Sequence, residues 1–169
     1  MGTFANSFAL RNALNVAGCA IGDSAAEILA RPAFRLSAMK TDVELVAVSA
    51  AELGFQTDTV PLADIYARAQ QLGFGLAAAE VAPQLRLQYF DQPLGDYLIA
   101  MEPIKTHKGD PIILTVANGG AGLTLIGRDG SADAQIPASS RLVFLQSQEA
   151  TLAKAAPRGF DEAAVLNRQ

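Results

Sequence analysis

Apolar and polar positions alternate with one period in the first half of the chain and another in the second. Phe8, Leu10, Leu14 and Val16 give a rough apolar side at helical spacing behind Ser7, which predicts a helix over residues 8–17. Ser24-Ala25-Ala26-Glu27 has the spacing of a capping box and predicts a second helix. That helix must stop near Arg31, because Pro32 disfavours helical backbone before it. "DVELVAVS" (42–49) alternates around Val43, Leu45 and Ala47 and predicts a strand. "PLADIYARAQQLG" (61–73) places Pro61 in a first turn, Gly73 past the end, and Ile65, Ala69 and Leu72 on one stripe, so a third helix is expected.

From residue 84 the signal is mainly β. Tyr97–Met101, Ile112–Ala117, Leu123–Ile126 and Arg141–Leu145 are short strand-like runs. Asn118-Gly119-Gly120 between two of them is a hairpin signal, and Asp129-Gly130 marks another turn. These elements predict an α+β fold, with N-terminal helices packed on a C-terminal antiparallel sheet, either a meander or a small partly closed barrel. One domain over 1–146 is expected, since neither half alone has enough apolar surface for a core. Residues 147–169, polar, Ala-rich and split by Pro157, read as a tail that is docked or mobile.

Composition narrows the function classes. With 50% hydrophobic and 18% charged residues the chain should fold. A formal charge of −4 gives no basic footprint, so nucleic acid is not the expected partner. "SAAEILA" in the second helix offers no base-reading side chain, so two packed helices are expected there, not a helix-turn-helix. A single cysteine excludes an internal disulfide, and no 18-residue apolar run suggests a membrane span, which together point to the cytoplasm. Val16-Ala17-Gly18-Cys19 has the form of a lipoprotein cleavage box. Asn6, Ser7, Arg11, Asn12 and Asn15 interrupt the apolar segment such a signal needs, so a helix ending at Gly18 with Cys19 buried is expected.

Familiar catalytic signatures are missing. The chain has no P-loop, no dinucleotide fingerprint and no nucleophile elbow. "GGAG" (119–122) precedes a strand-like run and reads as a turn, not an anion cradle. His107, the only histidine, lies in the polar loop "KTHKGD", and Cys19 and His107 together are too few for a zinc site. No metal and no cofactor are expected.

The stretch that carries chemistry runs from Ala78 to Pro103, "AAEVAPQLRLQYFDQPLGDYLIAMEP". As a strand, 84–89 would show Leu85, Leu87 and Tyr89 on one face and Gln84, Arg86 and Gln88 on the other. Its residues are not β-branched, so a short helix after Pro83 is the alternative. Gln84, Arg86 and Gln88 are planar multidentate groups, and Arg86 suits a carboxylate or phosphate. Asp91, Gln92 and Asp96 follow in a polar turn, with Glu80 upstream and Glu102 downstream. Three roles stay open at this point. Arg86 could anchor an anionic ligand or a protein partner, oriented by Gln84, Gln88, Asp91 and Gln92. Glu80 and Glu102 could be the acid and base of a hydrolase, with Arg86 stabilising developing charge. Or Arg86 could pair internally with Asp91 or Glu80 and pin the turn.

"AEVAPQLRLQYFDQPLGDYLIAMEPI" resembles the central signature of a family of small uncharacterised bacterial proteins. "LRNALNVAGCAIGDSAAEILARPAF", "VELVAVSAAELGF", "DIYARAQQLGFGL" and "RLVFLQ" extend the resemblance over nearly residues 3–146. It departs at Ala77-Ala78, where the family pattern has Cys-Pro, and at Ala82, where it has Gly. The resemblance implies no activity. The expectation is a soluble binding or interaction domain that uses the 80–102 region, and the composition also permits self-association.

Overall fold

The computed structural model describes residues 1–146. The predicted tail, 147–169, lies outside the described residues. The elements, in chain order, are α1 (Ser7–Val16), β1 (Ala20–Ile21), α2 (Asp23–Ala30), β2 (Leu45–Ser49), β3 (Thr59–Pro61), α3 (Leu62–Gln71), β4 (Phe74–Gly75), α4 (Val81–Gln88), β5 (Gly95–Ile99), β6 (Ile104–Lys105), β7 (Pro111–Asn118), β8 (Leu123–Asp129), β9 (Gln135–Pro137) and β10 (Arg141–Gln146).

Eight strands form one sheet in the order β1-β8-β7-β5-β10-β2, with β4 also on β10 and β6 also on β7. β3 and β9 make a separate two-stranded ladder. The antiparallel meander expected for the C-terminal half exists only in part, as β5-β7-β8. The sheet is mixed: β10 runs parallel to β5, and β1 runs parallel to β8. It is not closed into a barrel. The physical reason for both corrections is that strands from the helical half enter the sheet. β2 and β4 both pair antiparallel with β10. After β8 the chain leaves the sheet through β9, so it returns as β10 beside β5 in the same direction. The fold is therefore a mixed α/β arrangement of four helices and a large sheet, with no segregation of helices from strands.

Local chemistry explains the elements. Asn6, one residue before the expected cap, accepts the Ala9 N–H (2.9 Å) and starts α1. α2 starts at Asp23 without a side-chain cap and ends before Pro32, as the sequence requires. β1 lies between α1 and α2 and joins the sheet, so the two helices do not share the tight joint of a helix-turn-helix. α2 lies close over β8 because Gly127 has no side chain: a Cβ there would meet Ile112 Cγ2 at 2.8 Å and Ser24 besides. The β7–β8 connection is the expected hairpin, with Gly120 and Gly122 at positive φ. The 81–88 segment is a helix. Pro83 sits in its first turn, where its missing N–H has no intrahelical partner to lose.

The core joins Leu10 and Leu14 of α1, Ile28 and Leu29 of α2, Leu62 and Ile65 of α3, and Ile99, Ile113, Leu114 and Phe144 of the sheet. Tyr66 and Phe74 close around Phe144, with ring centroids 6.2 and 6.1 Å away.

Candidate functional site

Helical geometry separates the polar residues of 80–102 onto different sides. Arg86 lies on the inner side of α4 and is 0% exposed. One terminal nitrogen donates to Gln92 Oε1 (2.6 Å) and to the Ala117 carbonyl (3.2 Å); the other donates to the Tyr89 carbonyl. Gln92 is buried too. Its amide donates to the carbonyls of Gly95 (2.9 Å) and Val116 (3.2 Å), and its own carbonyl accepts from Asn118 Nδ2 (2.7 Å). This network binds the end of α4 and the 89–95 turn to β7. No carboxylate pairs with Arg86 among the described residues, so the ion pair with Asp91 or Glu80 that one of the three readings required is absent. Burial pulls the guanidinium pKa down, and the neighbouring Cys19 and Tyr89 oppose that shift. Cys19 itself is buried and free.

The other candidates scatter. Gln84 is buried, and its amide clasps the backbone of Gly2, accepting from its N–H (3.1 Å) and donating to its carbonyl (2.9 Å). Gln88 is exposed on the rim of a small cavity of about 120 Å³ beside Met1 and Asp42. Asp91 is exposed in the turn. Glu80 is buried just ahead of α4, where its carboxylate accepts from the backbone N–H of Ser37 (3.0 Å) and from the Ser37 hydroxyl. Asp96 pairs with Arg128. His107 is exposed, accepts from Arg31 at Nδ1 (2.8 Å), and donates its backbone N–H to Glu27.

Glu102 lines a groove of about 480 Å³. Its walls are Ala33 and Arg35 from the loop after α2, Leu76–Ala79 from the chain between β4 and α4, and Glu102, Pro103 and Ile104. Neither Glu80 nor Arg86 lines it, so the three groups of the hydrolase arrangement do not surround this cavity. Arg35 and Glu102 are exposed and have no ion-pair or hydrogen-bond partner among the described residues. The groove walls are held from beneath. Tyr66 donates its hydroxyl proton to the Met101 carbonyl (3.0 Å) and accepts the Met101 N–H (3.1 Å), fixing the chain next to Glu102. Burial pushes the Tyr66 phenol up to about 12. Ala77 N–H donates to the Ala100 carbonyl (2.7 Å), tying the opposite wall to the sheet.

Two further clefts, of about 300 and 620 Å³, meet at Asp96 and Ser140. Their cations already face acids: Arg128 pairs with Asp96, and Arg141 lies near enough to Glu52 to help hold its carboxyl below the ordinary range. Glu52 owes that depression first to the Ser49 N–H (2.7 Å).

Arg35, Tyr66 and Ser37 are the contributors the sequence did not single out. Nothing local marks them: Arg35 stands in an ordinary Pro-containing loop, and Tyr66 reads as one more residue of an amphipathic helix. No group of three or more His, Cys, Asp or Glu positioned for a metal ion occurs among the described residues. No helix among them is long and apolar enough to cross a membrane. Comparison of the chain with protein-family models, with curated proteins and with solved structures finds no match.

Proposed function

We propose that the protein is a cytoplasmic binding domain of the small bacterial family it resembles, and that it takes an anionic or polar ligand in the groove between residues 76–79 and 102–104. Arg35 anchors the anionic group there, the part the sequence suggested for Arg86, and Glu102 holds the opposite pole. The observation that carries this reading is the presence, on a single cavity of about 480 Å³, of one cation and one anion that are unpaired among the described residues. That volume is within the usual range for small-molecule sites, about 300–1,000 Å³. Binding is favoured over hydrolysis because acid–base work needs its groups gathered at one site. Glu80 is instead engaged by Ser37, and Arg86 by backbone carbonyls and Gln92.

The test is a titration followed by amide chemical shifts, with succinate and alanine as probes. Saturable shifts at Arg35, Leu76–Ala79 and Glu102 are expected, weakened about tenfold in Arg35→Gln, the scale of one charge-assisted hydrogen bond. Shifts that never saturate, or that centre on Arg128 and Arg141, would remove the groove from consideration.

A further inference from the structure

The groove has a second property besides its charges: part of its wall is backbone that continues β4 and carries groups unpaired among the described residues. Leu145 is the β10 residue turned towards β4, because its neighbours Phe144 and Gln146 bond β2. Gly75 pairs with Leu145, and Ala77 N–H bonds Ala100, so these two residues face the sheet. Leu76, between them, presents its main-chain groups the other way, and so does the Ala78 N–H, while the Ala78 carbonyl accepts from the Val81 N–H (3.0 Å) at the start of α4. Among the described residues nothing bonds the N–H or C=O of Leu76, or the N–H of Ala78. Both residues line the groove. The side chains around them are small, with Ala33, Ala77, Ala78 and Ala79 in the lining. A second backbone can therefore come close without meeting bulk.

We propose that the ligand of this groove is a short extended peptide with free ends. This rests on the groove being the binding site, and it names the ligand class. The peptide backbone pairs with Leu76 and Ala78 as an added strand, the mode by which an unpaired edge takes up a chain. Its carboxylate meets Arg35, and its ammonium group meets Glu102. Opposite charges on one cavity match a zwitterion better than they match a simple anion, which Glu102 would repel. Size agrees: an extended chain advances about 3.4 Å per residue, so about three residues span about 10 Å. That is roughly the width of a rounded cavity of about 480 Å³.

The experiment uses the full chain and four probes: tri-alanine, the same peptide acetylated and amidated at its ends, tri-alanine N-methylated at the central residue, and succinate. Isothermal titration gives affinities, and amide shifts give the location. Tri-alanine is expected to bind at Leu76–Ala79 and Glu102. Blocking the ends and N-methylation should each weaken it about tenfold or more, since each removes charge-assisted or backbone hydrogen bonds. Glu102→Gln should weaken tri-alanine and strengthen succinate. If succinate binds in the groove as well as tri-alanine, and end-blocking and N-methylation change nothing, the peptide proposal is overturned while the groove stands. If no probe perturbs the groove, both fall.

Discussion

Two arginines in this protein occupy opposite physical situations. Arg86 is fully buried, and its two terminal nitrogens donate to Gln92 and to the carbonyls of Ala117 and Tyr89. Arg35 is exposed on a groove and has no partner among the described residues. A buried cation without a carboxylate is costly, and it persists where its donors close a turn that neutral side chains would leave full of unpaired carbonyls. An exposed cation costs the fold almost nothing and leaves its hydrogen-bonding capacity for something else. Chemical type does not separate these roles; the surroundings do.

The largest expected effect is at the buried member. Arg86→Leu leaves Gln92 Oε1 and two carbonyls without their donors, while relieving the burial of a charge. Unsatisfied buried acceptors cost about 1–3 kcal/mol each, so the net loss should be about 3 kcal/mol. In a domain of this size the melting temperature should fall by about 10 °C. Arg86→Lys should lose somewhat less, because one ammonium cannot reproduce the planar fork that serves three acceptors. A melting temperature within about 2 °C of the wild type in both variants would show that Arg86 is no more structural than Arg35.

Tyr66 sharpens the comparison from the groove side, since it is a buried group that supports an exposed one. Its phenol is raised to about 12 from the ordinary 10. In the unfolded chain the phenol ionises first as pH rises, and the folded state holds its proton longer. The stability linked to this group is therefore complete below pH 10 and is lost between pH 10 and about 12. The full loss should be on the order of 2–3 kcal/mol, with about half of it reached by pH 11. Tyr66→Phe should flatten that alkaline limb, and equilibrium unfolding at pH 9 and 11 measures it. An unchanged difference between the two pH values in the variant would mean that another group produces the alkaline loss.

A smaller effect belongs to Ser37. Ser37→Ala removes one of the two donors to the buried Glu80 carboxylate and keeps the backbone N–H. A loss of about 1–2 kcal/mol is expected in denaturant unfolding. No change would mean that water replaces the hydroxyl and that Glu80 is more open than its burial indicates.

Much of the local structure was legible in the sequence, and most of the long-range structure was not. Periodicity located α1 and α3, a capping-box spacing and Pro32 located α2, and turn residues located the β7–β8 hairpin at Asn118-Gly119-Gly120. The 84–89 segment was ambiguous because Gln84, Leu85, Arg86, Leu87 and Gln88 alternate like a strand yet carry no β-branched residue; α4 follows from helix propensity and from Pro83 in the first turn. The parallel pairing of β10 with β5 was invisible, since no local residue specifies which distant strand a β-run will adjoin. The polar residues of 80–102 stood out by their density in apolar company. Whether each points in or out depended on the helix that the pattern left open. Arg35 could not be ranked at all, because the groove joins segments about 40 and 70 residues apart in sequence, and no single stretch shows it.

The smallest effect on stability, and the most informative one, is expected at the exposed pair. Arg35→Gln and Glu102→Gln break no hydrogen bond or ion pair among the described residues, so each should change stability by no more than about 0.5 kcal/mol, as surface substitutions do. Neither charge leans on the other either, so the double variant should show the sum of the singles within about 0.5 kcal/mol. Denaturant unfolding of the three variants measures this. If Arg35→Gln costs 2 kcal/mol or more, Arg35 is a structural group like Arg86, and the contrast between them disappears (about 2 kcal/mol is what losing a hydrogen bond to a charged group costs). If all three variants match the wild type in stability while losing affinity for the groove's ligand, the two arginines divide as their surroundings predict. Arg86 then serves the fold, and Arg35 serves the site.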